Sequence, residues 1–300
     1  MTDHELPWDE IDNLLDSALE EDRAREDVTT GALVDPGLQG EGQVIAREDG
    51  VVCGLPVARR LTRRFSENLD FTAGVEDGAH VEAGTAVGTL SGHVADILSL
   101  ERTLLNFLQR LSGFATLTAR FVNKVAGTNA HILDTRKTTP GWRCLEKYAV
   151  ACGGGQNHRM NLADQVLIKE NHLRVLSREI GTDTERPAPY VAEAIRRTRD
   201  QAPEGMIVEI EVEDLDELRA AVRAGADIVL LDNMTPDEIK RAVEIAEAVA
   251  SGAQRPLLEA SGGIDLDIVA EYARAGVDRI SIGALTHSAP ALDISLNLVL

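Results

Sequence analysis

The sequence predicts an α/β protein in which a small antiparallel sheet is followed by a parallel sheet with helical connections. Residues 40–97 contain short runs of strand-forming residues separated by glycine. From residue 130 onward, near-continuous apolar strands alternate with amphipathic helices. Only six such strands can be identified, fewer than the eight of a complete barrel. We therefore expect an incomplete parallel α/β barrel, with a doubly wound open sheet as the alternative.

The N-terminal part is expected to contain two helices and four strands. Apolar residues at helical spacing predict helices over 8–22 and 56–65. The predicted strands are 42–46, 50–53, 69–72 and 86–90. Between the last two, residues 77–84 have the glycine spacing of a tight hairpin.

A long amphipathic stretch over residues 98–125 connects the two parts. Its apolar positions keep helical spacing, and Gly113 is predicted to divide it into two helices. Arg102, Asn106, Gln109 and Gly113 share one polar face. We place the domain boundary here, with an N-terminal domain over 1–112 and a barrel domain over 113–300.

The barrel part consists of strands and helices in alternation. Its predicted strands are 130–134, 165–169, 206–212, 227–231, 256–260 and 278–282. The predicted helices are 189–200, 214–224, 235–250 and 265–275. Two of these helices end in Arg-Ala-Gly, which is typical of a glycine C-cap before the next strand.

Charge is distributed unevenly along the chain. The 300 residues include 30 Lys+Arg and 50 Asp+Glu, for a net charge of −20, which argues against nucleic acid or an anionic membrane as partner. Residues 99–178 are the exception, with 12 basic and 5 acidic residues. This basic segment predicts an anionic ligand held by several cations. The acidic remainder is typical of a halophile's cytoplasm, or simply of a soluble protein.

The cysteines and the N-terminus predict a cytoplasmic protein. Cys53, Cys144 and Cys152 have no C-x-x-C spacing, which indicates reduced thiols rather than a disulfide or zinc framework. The first residues lack the basic and apolar regions of a signal peptide. No apolar run is long enough to predict a membrane span.

Chemically useful residues follow most of the predicted barrel strands. Because active sites of α/β barrels lie at the carboxyl ends of the strands, these residues should lie around one opening. They are Arg136, Lys137, Lys169, Glu211, Asp232, Ser261, Gly262, Gly263 and Gly283. A Gly153-Gly-Gly-Gln-Asn-His-Arg159 segment adds His158 and Arg159. Any one of these alone could be an ordinary surface or turn residue.

Cations beside carboxylates predict a site for two anions and a divalent metal. The cations would bind substrate carboxylates, and Glu211 and Asp232 would hold Mg²⁺ on a pyrophosphate. Ser261-Gly-Gly263, before the predicted helix at 265–275, is a candidate phosphate site because backbone N–H groups and the helix dipole would face the anion. The segment from Gly283 to His287 follows the same logic.

Taken together, the motifs closely resemble those of the quinolinate phosphoribosyltransferase family. The resemblance covers almost the whole chain, through segments 26–31, 101–113, 134–141, 153–159, 167–172, 209–212, 231–233, 260–263 and 282–287. It implies an N-terminal α/β sandwich domain followed by an incomplete α/β barrel. It also implies a reaction in which quinolinate and phosphoribosyl pyrophosphate give nicotinate mononucleotide, pyrophosphate and CO₂, in NAD synthesis.

The resemblance also implies roles for particular residues. The quinolinate pocket would be formed by Arg102, Arg136, His158, Arg159 and Lys169. Phosphoribosyl pyrophosphate and Mg²⁺ would be surrounded by Lys137, Lys169, Glu211, Asp232, Ser261, Gly262, Gly263, Gly283 and His287. Of these, Lys137, Lys169, Glu211 and Asp232 would be catalytic. Arg102 would act in the neighbouring subunit's site, which makes a homodimer the smallest active assembly. Glu170 departs from the family pattern, since many relatives have Asp there.

Two other functions remain open from the sequence. A phosphoribosyltransferase acting on nicotinate or another pyridine acid would keep the fold, although one carboxylate needs fewer cations. A biotinyl or lipoyl carrier would explain the glycine-rich segment 74–92. Such a carrier needs a lysine at the hairpin tip, and residues 50–100 contain none.

Overall fold

The computed structural model describes residues 6–181, 187–250 and 254–300. Their contacts divide the chain into two compact units that are not continuous in sequence. The first unit consists of the residues up to Arg120 together with Lys137–Gly155 and Leu285–Leu300. The second consists of Phe121–Arg136 and Gln156–Ala284.

The first unit is built on an antiparallel sheet of four strands, in the order β12-β1-β5-β3. These strands are β1 (Gln39–Ala46), β3 (Leu69–Ala73), β5 (Ala86–His93) and β12 (Ile294–Val299). The three from the N-terminal part were predicted, but β12 was not. It lies at the end of the chain and pairs with β1 over six residues, from Ala46 opposite Ile294 to Glu41 opposite Val299.

The predicted hairpin over 77–84 is wrong. This segment leaves the main sheet, and its strand β4 (His80–Val81) pairs with β2 (Gly50–Val51). The carboxylate of Asp77 accepts hydrogen bonds from the backbone N–H groups of Gly54 and Leu55, both at 2.9 Å. These bonds hold the segment against the start of the next helix, so its glycines serve separate turns.

Apolar helices pack within the first unit. Its helices are α1 (Trp8–Glu21), α2 (Val28–Leu33), α3 (Leu55–Phe65), most of α4 (Val94–Lys124) and α5 (Arg143–Cys152), with a 3-10 turn at Ala24–Glu26. Side chains from α1, α3, α4, α5 and the sheet form one continuous apolar core. Helices α1 and α3 were predicted, whereas α2 and α5 were not.

Gly113 does not divide α4, so the predicted split is wrong. The helix is continuous over Val94–Lys124. A Cβ atom at Gly113 would lie 2.0 Å from the backbone oxygen of Pro290, so the glycine permits a close approach of another segment rather than ending the helix. The predicted domain boundary between 112 and 113 falls inside this helix.

The second unit is built on a parallel sheet of six strands, all of them predicted. They are β6 (His131–Leu133), β7 (Val166–Ile168), β8 (Val208–Val212), β9 (Ile228–Asp232), β10 (Leu257–Ser261) and β11 (Arg279–Ser281). Their order is β6-β11-β10-β9-β8-β7, and each pairing is parallel. Consecutive strands are neighbours from β7 to β11, and the first strand then pairs with the last.

This order distinguishes a barrel from a doubly wound sheet. A doubly wound sheet reverses its strand order at a switch point, whereas here the order runs in one direction and returns to β6. Among the described residues, no ladder joins β6 to β7. The second unit is therefore an incomplete parallel α/β barrel.

The described helices of the second unit are α6 (Glu170–Ile180), α7 (Pro187–Gln201), α8 (Leu215–Arg223), α9 (Pro236–Ala250), α10 (Val269–Arg274) and the start of α11 (Ala284–His287). Of these, α6 and α11 were not predicted.

Two aspartates fasten the amino ends of the barrel strands. Asp227, just before β9, accepts a hydrogen bond from the N–H of Val208 at 2.7 Å and pairs with Arg199 at 2.6 Å. Asp278, just before β11, repeats this arrangement with the N–H of Leu258 at 2.7 Å and with Arg255 at 2.6 Å. Every charge in these two clusters has a direct partner.

Candidate active site

The carboxyl ends of the barrel strands bring predicted site residues together along one edge. Lys169 follows β7, Glu211 lies near the end of β8, and Asp232 ends β9. Ser261 ends β10, and Gly283 comes two residues after β11. Lys169 Nζ lies 3.2 Å from a carboxylate oxygen of Glu211, so adjacent strands contribute a directly paired cation and anion.

The middle of this edge is acidic. Burial, together with the charges of Glu170, Glu217, Asp232 and Glu211, raises the pKa of Glu213. A bound cation would reduce the repulsion among these carboxylates, so this edge is suited to hold one. Carboxylate oxygens are the ligands that Mg²⁺ prefers, so Glu211 and Asp232 have the right chemistry to hold it. Glu170 pairs with Arg174 one turn along α6 at 3.2 Å.

A glycine loop follows β10. Gly262 and Gly263 have φ angles of +101° and +61°. A Cβ atom at Gly262 would lie 2.3 Å from the side-chain oxygen of Asn233, so this turn requires glycine. The helix predicted from residue 265 begins only at Val269, after a turn in which the Asp265 carboxylate accepts two backbone N–H bonds. Any anion at this loop would therefore meet the loop's own N–H groups rather than a helix terminus.

Two arginines lie close together in the second unit without enough negative charge between them. Arg159 is 8% exposed and donates to the backbone oxygen of Gln165 at 3.0 Å. Burial and the nearby charge of Arg136 both lower the pKa of Arg159. Arg136 Nε is buried and donates to none of the described residues. Two guanidinium groups that repel each other, one with an unused buried donor, form a site for an anion.

Asp134 joins this arginine pair to the segment that carries His158. It lies just after β6 and is fully buried. Its two oxygens accept a hydrogen bond from the N–H of His158 at 2.9 Å and one from the side chain of Asn157 at 2.6 Å. This is why two motifs some 20 residues apart in the chain (134–141 and 153–159) form one site.

His158 lies between two buried carboxylates. Its Nε2 atom is 3.1 Å from Glu209 and 3.4 Å from Glu259. Its Nδ1 atom faces the backbone N–H of Arg159 at 2.8 Å, a contact that favours the neutral ring. Burial opposes a charge on the ring, and the two carboxylates outweigh it, so the pKa of His158 is raised. In this geometry Nδ1 accepts the Arg159 N–H, so Nε2 carries the ring proton and donates it toward the two carboxylates.

The sequence pointed to Glu209 as a residue with possible chemistry on its strand, but not to its contact with His158, and it did not point to Glu259. Glu209 accepts a 2.6 Å hydrogen bond from Gln165, and burial raises its pKa. Glu259 pairs with Arg279 at 3.1 Å. A signal was available, because Glu209 and Glu259 are charges within otherwise apolar strands, where a side chain facing a barrel interior is expected to be apolar.

Three predicted site residues belong to the first unit. The backbone oxygen of Lys137 accepts a hydrogen bond from Thr286 at 2.8 Å, and His287 contacts Ser288 at 2.5 Å. Arg102 is exposed on α4 and makes no hydrogen bond or ion pair with any residue that the structure describes. On the same helix face, Gln109 is used within the chain, since it donates to the backbone oxygen of Ile294 at 2.7 Å.

A second group of potential metal ligands lies in the first unit. Cys53, Asp77 and Cys152 have ligand atoms within 4.8 Å of one another. Burial raises the pKa of the Cys53 thiol, and Asp77 already accepts backbone and Tyr148 hydrogen bonds. This group therefore joins a buried Cys53 thiol to a carboxylate whose hydrogen bonds are already made within the chain. Among the described helices, none is long and apolar enough to cross a bilayer.

Family models match both parts of the chain. The N-terminal domain model of quinolinate phosphoribosyl transferase matches residues 27–112, and the C-terminal domain model matches residues 114–297.

Curated relatives and solved structures agree with these matches. The chain is 40% identical, over 91% of its length and 93% of the relative's, to a probable carboxylating nicotinate-nucleotide pyrophosphorylase from Methanothermobacter thermautotrophicus. It is 40% identical, over 94% of both chains, to the carboxylating nicotinate-nucleotide pyrophosphorylase of Mycobacterium leprae. The structure of the Francisella tularensis nicotinate-nucleotide pyrophosphorylase is 38% identical, covers 98% of both chains and has a TM-score of 0.87. This chain belongs to the quinolinate phosphoribosyltransferase family.

Proposed function

We propose that this protein transfers the phosphoribosyl group of phosphoribosyl pyrophosphate to quinolinate, with loss of CO₂, to give nicotinate mononucleotide and pyrophosphate. The observation that carries this assignment is the arginine pair Arg136 and Arg159 beside His158. Arg136 Nε has no partner among the described residues, and the two guanidinium groups repel each other. A substrate carboxylate would relieve both conditions.

The number of cations favours a dicarboxylate. Arg136 and Arg159 lie within the second unit, and Lys169 lies at the carboxyl end of β7. A single carboxylate would pair with only one of the two guanidinium groups and leave the other without a counterion. Quinolinate carries two adjacent carboxylates and would balance them better than nicotinate.

The acidic edge and the glycine loop suit the second substrate. Glu211 and Asp232 would hold Mg²⁺, which would neutralise charge on the departing pyrophosphate. The backbone N–H groups of the Gly262–Gly263 turn would bind phosphate oxygens. Lys137 and Lys169 would add positive charge, with Gly283 and His287 completing the substrate contacts.

Charge development during the reaction explains this division of groups. When pyrophosphate leaves ribose C1, positive charge builds on the sugar and negative charge on the leaving group. The carboxylate of Glu211 stabilises the first, and Lys137 and Lys169 stabilise the second. The pyridine nitrogen then becomes quaternary, and its positive charge stabilises the electron pair left on the adjacent ring carbon when the carboxylate departs as CO₂. A proton from solvent then replaces the carboxylate on that carbon. No further cofactor is required for that last step.

Arg102 would complete the site of a neighbouring subunit in a homodimer. It is exposed on α4 without a partner among the described residues. Nearby, Ser99 on α4 hydrogen bonds at 3.1 Å to Asp27, which caps α2. Val28 and Leu33 on α2 are 83% and 80% exposed. An unpaired cation beside exposed apolar side chains suits a surface that a second copy covers.

The first experiment follows CO₂ release and mononucleotide formation from quinolinate and phosphoribosyl pyrophosphate. We expect turnover only when Mg²⁺ or a similar ion is present. Turnover of nicotinate but not quinolinate would overturn the dicarboxylate assignment. Full turnover in the presence of excess chelator would overturn the metal assignment.

The second experiment tests the shared site by subunit mixing. Arg102→Ala and His158→Ala should each be inactive alone. In a mixed dimer, one site receives both wild-type residues while the other carries both defects, so mixing under conditions of subunit exchange should restore part of the activity. If Arg102 works within its own chain, every site keeps one defect and mixing restores nothing.

A further inference from the structure

Glu259 is a buried carboxylate that has ionic contacts but no hydrogen bond with the described residues. It lies in the middle of β10 with no exposed surface. Neither of its oxygens accepts a hydrogen bond from the described residues. Its contacts are ionic, at 3.1 Å to Arg279 and 3.4 Å to His158. A buried charge without hydrogen bonds is costly, and replacing the whole Glu259–Arg279 pair with apolar residues would often be neutral or stabilising.

The position of Glu259 explains why the charge is kept. Glu209 on β8 and Glu259 on β10 approach the same nitrogen of His158 from strands on either side of β9. The opposite nitrogen of the ring faces the backbone N–H of Arg159. With contacts at both nitrogens, the imidazole has one orientation, and that orientation is tied to the backbone that carries Arg159.

We infer that Glu259 is a positioning residue for the quinolinate pocket, acting with Glu209 through His158 to fix the cations that receive a substrate carboxylate. This inference rests on the proposed function, since it assumes that those cations bind quinolinate. Arg279 would act one step further away by balancing the second carboxylate.

The test compares Glu259→Gln with Asp278→Asn. Both remove one carboxylate charge from the same pair of strands, but Asp278 lies at the amino end and pairs with Arg255. In Glu259→Gln, KM for quinolinate should rise about tenfold or more, while KM for phosphoribosyl pyrophosphate should stay within about twofold. In Asp278→Asn both KM values should stay near wild type. Unchanged KM values in a folded Glu259→Gln protein would overturn the inference, as would the same pattern of change in both variants.

A double variant covers the case in which Glu259→Gln fails to fold because Arg279 has lost its partner. Glu259→Gln/Arg279→Gln removes both charges of the pair together, so no uncompensated charge remains. The same selective rise in KM for quinolinate is expected. Normal KM values in the double variant would contradict the positioning role.

Side-chain NMR of isotope-labelled histidine separates this inference from the proposed function. The His158 signal, identified by its absence from His158→Gln, should move in Glu259→Gln and stay in place in Asp278→Asn. If the wild type neither binds nor turns over quinolinate, the proposed function fails, while a shifted His158 signal still supports the link from Glu259 to His158. An unshifted signal overturns that link, whatever the substrate is.

Discussion

Charged side chains are paired differently at the two ends of the barrel strands. At the amino ends, Asp227 and Asp278 each combine a backbone hydrogen bond with an arginine at 2.6 Å. Toward the carboxyl ends, Arg136 has a buried donor without a partner among the described residues, and Glu259, in the middle of β10, has two buried oxygens that accept no hydrogen bond from those residues. Charges that are fully satisfied within the chain serve its stability. Charges left unsatisfied indicate where the chain expects a ligand.

The largest effect should come from the two exposed lysines that are assigned to the substrates. Lys137→Ala and Lys169→Ala should each lower turnover by about 100-fold or more, because each removes a charge that stabilises the transition state. Both side chains are on the surface, so the melting temperature should change little. Steady-state kinetics and thermal melting measure the two quantities.

Lys240→Ala is the matched control, because Lys240 is exposed on α9 and has no assigned role. It should leave turnover and melting temperature unchanged. Near-normal kinetics in both Lys137→Ala and Lys169→Ala would show that these two lysines do not act in the reaction.

The next effect concerns affinity. Arg136→Gln should raise KM for quinolinate about tenfold or more because a substrate carboxylate loses one of its cations. The ligand-free protein should become slightly more stable, since the charge that repels Arg159 is gone. Loss of affinity with a higher melting temperature is the expected signature. A large fall in melting temperature would instead identify Arg136 as a structural residue.

The amino ends should give the opposite result. Asp278→Asn should lower the free energy of unfolding by about 1–2 kcal/mol, because a charge-assisted bond and an ion pair are weakened together. Asp227→Asn should cost less, since the Arg199–Asp227 pair is more exposed than the Arg255–Asp278 pair. Denaturant unfolding measures both. Loss of activity without loss of stability in either variant would break the distinction between the two strand ends.

The smallest effect concerns the acidic surface as a whole. If the net charge of −20 is an adaptation to salt, the melting temperature should rise by several degrees between dilute buffer and about 1 M KCl. Screening of surface repulsion is the reason, since the Debye length is then about 3 Å. Paired charges at the amino ends should contribute little to the rise, so Asp278→Asn should show the same salt dependence. A melting temperature independent of salt would leave ordinary solubility as the explanation.

The sequence predicted the barrel strands because each is a continuous apolar run that ends in a polar residue or glycine. Parallel strands direct these ends to one edge, so Lys169, Glu211 and Asp232 could be placed near one another without coordinates. The sequence could not show how deeply each side chain is buried. Glu209 and Glu211 differ by two positions, yet the first contacts His158 in the interior and the second contacts Lys169 at the edge.

The remaining errors have related causes. Helix α5, which was not predicted, lies between the motif segments 134–141 and 153–159, although Leu145, Ala149 and Val150 have helical spacing and are all buried. At Gly113, local propensity favoured a helix break, and a contact with the distant Pro290 decided otherwise. The local sequence of β12 does not indicate which strand it pairs with. Its position depends on a partner near the other end of the chain.

That last pairing has a consequence for how the protein is made. Arg47 at the end of β1 hydrogen bonds to Asn297 in β12 across 250 residues of sequence. During synthesis on a ribosome, the edge of β1 that pairs with β12 has no partner until the whole barrel segment has been made. The other strands of the first sheet are made much earlier. The barrel can complete its own pairing before then, since all its strands precede β12. The unit that begins the chain is therefore the last to close, and its unpaired β1 edge is the surface that a chaperone would need to protect in the meantime.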